Sequence, residues 1–159
     1  MLPLVFMLLL GTVWFGRAFN IYSTIQQAAQ QGAITAARAT CATCTTGNSF
    51  PNDTVVITAV TTVMQASNLD PTQIPVNSNA PSPTFCASPP NPPGACTTTA
   101  SNITICRQAL LNSPVSATQP SQCGIVVSFQ YPFQFYLPFT SLNLQQIVLS
   151  AQAQSRMEN

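Results

Sequence analysis

Six cysteines offer the clearest chemistry in this chain of 159 residues: Cys41, Cys44, Cys86, Cys96, Cys106 and Cys123. In an exported protein such a set predicts disulfides, although the sequence alone does not choose among the pairings. Cys41 and Cys44 are spaced for a local bridge, and the same C-x-x-C spacing occurs in zinc and redox sites. The chain has no His, no second C-x-x-C, and no βαβ pattern around Cys41. We therefore predict disulfides, no metal and no cofactor.

Groups that could perform acid–base catalysis are scarce. The carboxylates are Asp53, Asp70 and Glu158. Asp53 is placed to cap a helix and Asp70 to form a turn. No Ser or Cys has a visible basic partner, and no glycine-rich phosphate-binding motif occurs. We therefore expect no catalytic residue and a function other than that of an enzyme.

Charged residues make up 4% of the chain, against about 25% in ordinary soluble proteins. So little charge excludes electrostatic attraction of nucleic acid. It also removes the usual protection against self-association. Such a surface suits dense packing between subunits, or a harsh external medium.

The chain opens with a nearly unbroken apolar run, residues 1–16, which predicts the first half of a long helix. From Leu2 to Phe15 this helix would be about 21 Å long, shorter than the roughly 30 Å hydrocarbon core of a bilayer. No basic residue precedes Arg17, and no small-residue cleavage site ends the run, which argues against a removed signal peptide. The candidate assembly core comprises Leu2, Leu4, Val5, Phe6, Leu8, Leu9, Leu10, Trp14 and Phe15.

We favour a retained helix that anchors the subunit in a membrane before assembly and forms the core of an oligomer afterwards. A plain membrane anchor and a cleaved signal remain alternatives. Gly11 and Gly16 in this half permit close approach of helices or local loosening, and ordinary small-residue packing is the competing explanation.

The helix continues as an amphipathic half, residues 17–39. Apolar and small residues recur at three- and four-residue steps and so share one face. They are Ala18, Ile21, Tyr22, Ile25, Ala28, Ala29, Gly32, Ala33 and Ala36. Four glutamines, Gln26, Gln27, Gln30 and Gln31, lie largely on the other side. This half therefore requires a domain to pack against.

Residues 40–159 are predicted to form a globular head. A helix capped by Asn52 or Asp53 comes first, with a strand as the competing interpretation because the segment is rich in β-branched residues. Residues 70–100 are predicted to form loops rich in Pro, Thr and Cys, which Cys86 and Cys96 attach to the head. Strands are predicted over residues 100–106, 124–136 and 145–157.

Alternate positions in the strand 124–136 are apolar: Ile125, Val127, Phe129, Tyr131, Phe133 and Phe135. A period of two puts these side chains on one face. We expect that face to pack on the long helix, which gives an α+β fold with a small antiparallel sheet. A glycan-binding platform is the alternative for the aromatic side chains. Asn52 and Asn102 begin N-x-[ST] patterns and are candidate glycosylation sites.

Both ends of the chain resemble a known family. The Leu-Pro start, the leucine run, Gly11, the sequence FGRA from Phe15 to Ala18, and the Ala/Gln-rich continuation to Gly32 are similar to the helix of TadE-like proteins. These proteins belong to the type IV pilin superfamily. Residues 124–158 are similar to the final two strands of that family, and the middle of the chain resembles no family that we can name.

The resemblance implies a pilin-like subunit. Such precursors enter the inner membrane by the long helix, lose a short basic leader to a prepilin peptidase, and then bundle their helices in a filament core. The implied partners are other copies of the chain in a helical filament, the inner membrane before assembly, and the pilus secretion machinery. The implied location is an extracellular filament on the cell surface.

The chain departs from the family pattern at one position. Family members usually carry a glutamate shortly before the Leu-Pro, and here no acidic residue precedes Asp53. Either Met1 is a processed start, or the usual charge pairing is absent and packing specificity comes from shape and apolar contact. The alternative function is a membrane-anchored monomeric adhesin or a minor pilus-assembly component.

Overall fold

The computed structural model describes residues 2–38, 50–86, 94–112, 121–134 and 146–157. Two α-helices precede a four-stranded antiparallel sheet with the strand order β1-β2-β3-β4. The elements are α1 (Leu2–Ala37), α2 (Asp53–Ala66), a 3-10 helix (Pro71–Gln73), β1 (Ala95–Thr98), β2 (Thr104–Leu110), β3 (Cys123–Phe133) and β4 (Ile147–Arg156). The predicted α+β fold, a long amino-terminal helix on a small sheet with disulfide-linked loops, is confirmed.

The second half of α1 packs on the head. Its fully buried side chains lie on one stripe, formed by Ile25, Ala28, Ala29, Ala33 and Ala36. Small residues let α2 approach closely, since a Cβ atom placed on Gly32 would lie 2.6 Å from Val60 Cγ2. This stripe contacts α2, β3 and β4, as the helical spacing predicted.

The prediction for Tyr22 is wrong, because its side chain is 44% exposed. Tyr22 lies at the rim of the buried stripe, next to half-buried Ile21. The head covers mainly the centre of the stripe, where alanine and glycine allow close contact. A pattern of three- and four-residue steps does not show where that cover ends.

The helix interpretation of residues 53–66 is confirmed over the strand alternative. Asn52 is the N-cap, and its side-chain oxygen accepts a hydrogen bond of 2.8 Å from the Asp53 N–H. Asn68, with a φ of 57°, ends the helix in a left-handed conformation. The Leu69 N–H then donates to Met64 O at 2.9 Å, which completes a Schellman motif.

Two predictions in the central region are wrong. Residues 70–100 are not all loop, since they contain the 3-10 helix and β1. The strand predicted from residue 100 begins only at Thr104, because Asn102 has a φ of 58° and occupies a turn between β1 and β2. The Thr99 N–H donates to Ile103 O across this turn at 2.9 Å. Ile103 and Ile105 are nevertheless fully buried, as predicted.

The central strand β3 is buried on both faces. Ile125, Val127 and Phe129 belong to the core cluster that also contains the buried residues of α1 and α2. On the opposite face, Val126 clusters with residues of β2, and the Asn77 side chain donates to Ser128 Oγ at 3.2 Å. The segment after α2 therefore contributes contacts to the face of β3 that the helices leave uncovered.

The outer edge of β2 is shared by two partners. β1 pairs with residues 104–107, and a register shift follows Cys106, near Gln108 with its φ of 60°. Beyond the shift, Thr84 O accepts from the Leu110 N–H at 2.7 Å, and the Cys86 N–H donates to Gln108 O at 2.9 Å. The proline-rich segment is thus joined to the sheet by backbone hydrogen bonds.

Candidate assembly interface

The first half of α1 presents apolar side chains on every side. Six consecutive residues, from Leu4 to Leu9, are exposed, and Met7 reaches 76%. Because successive residues of an α-helix point about 100° apart, six in a row cover all directions around the axis. Val13, Phe15 and Phe19 extend the exposed apolar surface toward the head. We call the segment Leu4–Gly16 the apolar half of α1.

Most members of the candidate assembly core lie on this surface. Leu4, Val5, Phe6, Leu8, Leu9 and Phe15 are exposed, whereas Leu10 and Trp14 are half-buried. The side chain of Leu2 lies outside the described part of the structure. The predicted set omitted Met7, Val13 and Phe19, although the first two stand in the same apolar run. That these residues contact a neighbouring subunit stays a prediction.

The two glycines of the apolar half have space around them. A Cβ atom on Gly11 or on Gly16 would meet nothing within 4 Å. Gly32 differs, since its Cβ would collide with Val60. Among the described residues, then, packing within the subunit does not account for Gly11 and Gly16. Close approach of another helix, or local loosening, remains as the predicted reason.

Arg17 stands at the boundary between the apolar half and the head. Its guanidinium carbon lies 5.7 Å from the centre of the Trp14 ring, a cation–π distance. In the described part of the chain, the helix from Leu4 to Ala37 is long and apolar enough to cross a membrane, judged by length and composition. A bilayer or a bundle of helices would each cover this surface.

Two disulfides hold the segments that surround the sheet. Cys86–Cys123 ties the proline-rich segment to the start of β3, and Cys96–Cys106 joins β1 to β2. The described cysteines are all paired, so Cys86 and Cys96 attach the loops as predicted. Cys41 and Cys44 lie outside the described residues, and their local bridge stays a prediction.

An ion pair that sequence reasoning missed joins α2 to the sheet. Arg107 Nη2 lies 2.7 Å from Asp53 Oδ1 and donates to Pro51 O at 2.8 Å. Thr97 Oγ1 on β1 donates to the other Asp53 oxygen at 3.2 Å. The sequence placed Asp53 at the start of a helix but held no signal for a partner so far along the chain.

Asp70 and Tyr131 meet where the 3-10 helix approaches β3. Hydrogen bonds from the Thr72 backbone N–H and hydroxyl hold the pKa of Asp70 below its usual value. The Asp70 N–H donates to the Tyr131 hydroxyl at 3.3 Å, and burial raises the pKa of Tyr131. Asp70 therefore forms a turn, as predicted, and carries its negative charge at neutral pH.

The aromatic face of β3 packs into the core rather than forming an exposed platform. Phe129, Tyr131 and Phe133 are all buried. Phe135 and Tyr136 lie outside the described residues. For the described aromatic residues, the core interpretation is confirmed over glycan binding.

The side chains of both candidate glycosylation residues make hydrogen bonds within the subunit. Asn52 caps α2. The Asn102 side-chain amide donates to Ile74 O at 2.8 Å in a partly buried position. Glycosylation at either residue stays a prediction.

Comparison with known proteins gives one match. Residues 1–33 match the family model described as TadE-like protein, and this match covers the apolar half of α1 and most of its amphipathic half. It does not extend to residues 124–158, whose resemblance to the family stays a prediction. No curated protein and no solved structure matches the chain. The amino-terminal helix of this chain is therefore similar to that of TadE-like proteins.

Proposed function

We propose that this chain is a structural pilin subunit, without enzymatic activity, that assembles with copies of itself into an extracellular filament. The observation that carries the proposal is the apolar half of α1, which extends from a folded head with its side chains exposed in every direction. A helix that is apolar on all sides is stable only where every side is covered. In a bundle of identical helices each subunit covers its neighbours.

The energy available from this surface suits a polymer. Complete burial of a Leu, Val or Phe side chain contributes about 1.5–3 kcal/mol. Covering the exposed side chains of the apolar half is therefore worth on the order of 10 kcal/mol per subunit, before the entropy cost of association. An interface between unlike surfaces of identical subunits propagates as a helical filament when it does not close into a ring.

The apolar half by itself is shorter than the hydrocarbon core of a bilayer. From Leu4 to Gly16 it is about 20 Å long, against roughly 30 Å of hydrocarbon in a bilayer. Residence in the inner membrane before assembly requires Arg17 to extend its guanidinium toward the headgroups. Once helices are bundled outside the cell, that requirement disappears.

A monomeric membrane-anchored adhesin is the second candidate, because a bilayer would also cover the apolar half. Electron microscopy of material sheared from cells separates the two. Regular fibres that contain this chain support the pilin proposal. Recovery of the chain only as a monomer in the membrane fraction contradicts it.

Gly11→Leu makes the distinction sharper. The added side chain meets nothing within the subunit and increases the apolar character of the helix, so a monomeric anchor tolerates it. In a bundle that uses Gly11 for close helix approach, the same side chain separates neighbouring helices and reduces fibre yield. Leu8→Met, which nearly conserves volume, is the matched control. Normal fibre yield from Gly11→Leu would show that neighbouring helices do not approach at this glycine.

A further inference from the structure

A cleft of about 620 Å³ opens where α1 leaves the head. Its lining includes Arg17 and Ile21 of α1, Leu69 and Asp70 after α2, and Tyr131 of β3. Its volume falls in the range of small-molecule sites, about 300–1,000 Å³. The cleft is separate from the apolar half of α1 and adjoins its last turn.

Two opposite charges line this cleft without pairing. The ion pair among the described residues is that of Arg107 with Asp53. Arg17 and Asp70 form no ion pair there, so the guanidinium nitrogens of Arg17 lie more than 4 Å from the Asp70 carboxylate oxygens. Arg17 carries a guanidinium cation, and the Asp70 carboxylate accepts hydrogen bonds from Thr72. A ligand that carries both a negative and a positive group can therefore bind Arg17 and Asp70 at the same time.

The Tyr131 hydroxyl supplies a third polar group. It already accepts a hydrogen bond from the Asp70 N–H, and this leaves its own hydrogen to be donated. Ile21 and Leu69 provide the apolar part of the wall. The lining of the cleft thus includes a cation, a neutral donor and a carboxylate.

The position of the cleft along α1 indicates where its ligand comes from. Arg17 directly follows the apolar half. When that half lies in hydrocarbon, Arg17 and the cleft come to the level of the lipid headgroups. The ligand source is then the membrane surface itself.

We propose that this cleft binds a phospholipid headgroup with a primary ammonium, with the phosphate at Arg17 and Tyr131 and the ammonium at Asp70. A purely anionic headgroup would leave the Asp70 carboxylate facing a like charge. A quaternary ammonium has no N–H to donate to that carboxylate. The inference rests on the proposed residence of α1 in the membrane.

The experiment uses the full chain in bilayer discs that contain equal amounts of phosphatidylethanolamine, phosphatidylcholine and phosphatidylglycerol. Native mass spectrometry of the released protein identifies the lipid that stays bound. We expect enrichment of phosphatidylethanolamine and a loss of about tenfold in its affinity in Arg17→Gln and in Asp70→Asn, as for the loss of one charge-assisted hydrogen bond. Asn at position 70 can still accept the Thr72 hydrogen bonds. Arg38→Gln, an exposed arginine near the other end of the helix, is the matched control and keeps the enrichment.

Three outcomes would overturn the inference. The first is bound lipid in the proportions of the disc, or equal enrichment in wild type, Arg17→Gln and Asp70→Asn. The second is binding of soluble phosphoethanolamine as tight as that of a short-chain phosphatidylethanolamine, which would make the free headgroup the ligand. The third outcome concerns assembly of variants in which the two charges are exchanged. If Arg17→Asp and Asp70→Arg each abolish assembly alone but the double variant assembles like the wild type, these charges pair between subunits. Flotation with vesicles measures insertion separately, so failure of the proposed membrane residence is distinguishable from failure of headgroup binding.

Discussion

Leu8→Arg tests the proposed role of the apolar half of α1 most directly. Leu8 is 62% exposed in the subunit, and in the proposed filament its side chain becomes fully covered by neighbouring helices. Losing that burial costs about 1.5–3 kcal/mol, and placing Arg in an apolar environment costs about 2.5–3.5 kcal/mol on the insertion scale. The combined penalty is about 4–6.5 kcal/mol per subunit. Because every 1.4 kcal/mol is about tenfold in an equilibrium constant, subunit association weakens by about three to five orders of magnitude.

The assay follows polymerisation of the purified chain by sedimentation, with electron microscopy of the pellet. We expect no fibres from Leu8→Arg at concentrations where the wild type polymerises fully. The head remains folded, because the buried core cluster begins at Ile25, with half-buried Ile21 packed against it, and contains no residue of the apolar half. Urea unfolding monitored by amide exchange of β3 checks this point. Gln27→Arg, on the exposed polar side of the same helix, introduces the same charge outside the apolar half and should leave fibre yield unchanged.

A normal yield of normal fibres from Leu8→Arg would refute the reasoning, since no packed apolar core accepts an unpaired guanidinium at this cost. Loss of fibres together with an unfolded head would also contradict it, because the structure gives Leu8 no part in the core of the head.

Three further predictions concern the stability of the head. Removing the Cys86–Cys123 disulfide, which spans 37 residues, should lower the free energy of unfolding by about 4 kcal/mol. Removing Cys96–Cys106, which spans 10 residues, should lower it by about 3 kcal/mol. Urea titration of the two double-serine variants tests this order, and an equal or reversed order would contradict it. Gly32→Leu should cost about 1–3 kcal/mol through overpacking against α2, whereas Gly11→Leu leaves the unfolding midpoint unchanged, and equal midpoints would show that α2 does not need the close approach. Because the folded-state pKa of Asp70 is lowered, its stabilising effect is present above the ordinary carboxyl pKa of about 3.9 and is lost as the pH falls through the lower value. The free energy of unfolding should therefore decline less between pH 6 and about pH 2 in Asp70→Asn than in wild type. Parallel declines would refute the effect.

Patterns with a regular period could be predicted from the sequence. The alanine stripe of α1 and the alternation in β3 each repeat over many residues, so a single misplaced position such as Tyr22 does not change the interpretation. The cap at Asn52 was readable because the residue and its partner are neighbours in the chain. The match of residues 1–33 to TadE-like proteins lies in the same strongly patterned region.

Features that depend on distant partners could not be predicted. β1 has only four residues, none of which is buried, and it becomes a strand because β2 and a disulfide hold it in place. The pairing of Arg107 with Asp53 and the meeting of Arg17 with Asp70 in one cleft join residues far apart in sequence. The register of β2 shifts near Gln108, which has a positive φ. The sequence has no glycine at this position that would have indicated such a conformation.

By itself, then, the sequence determined that the chain has few charges, an apolar helix that requires cover and a helix–sheet core, and it predicted disulfides, because each of these follows from residue type and local spacing. Only the tertiary structure decided which cysteines pair, which charges share a cleft and which glycines have free space around them. The physical reason is that periodicity constrains each element separately, whereas contacts between elements depend on how closely their side chains allow them to approach.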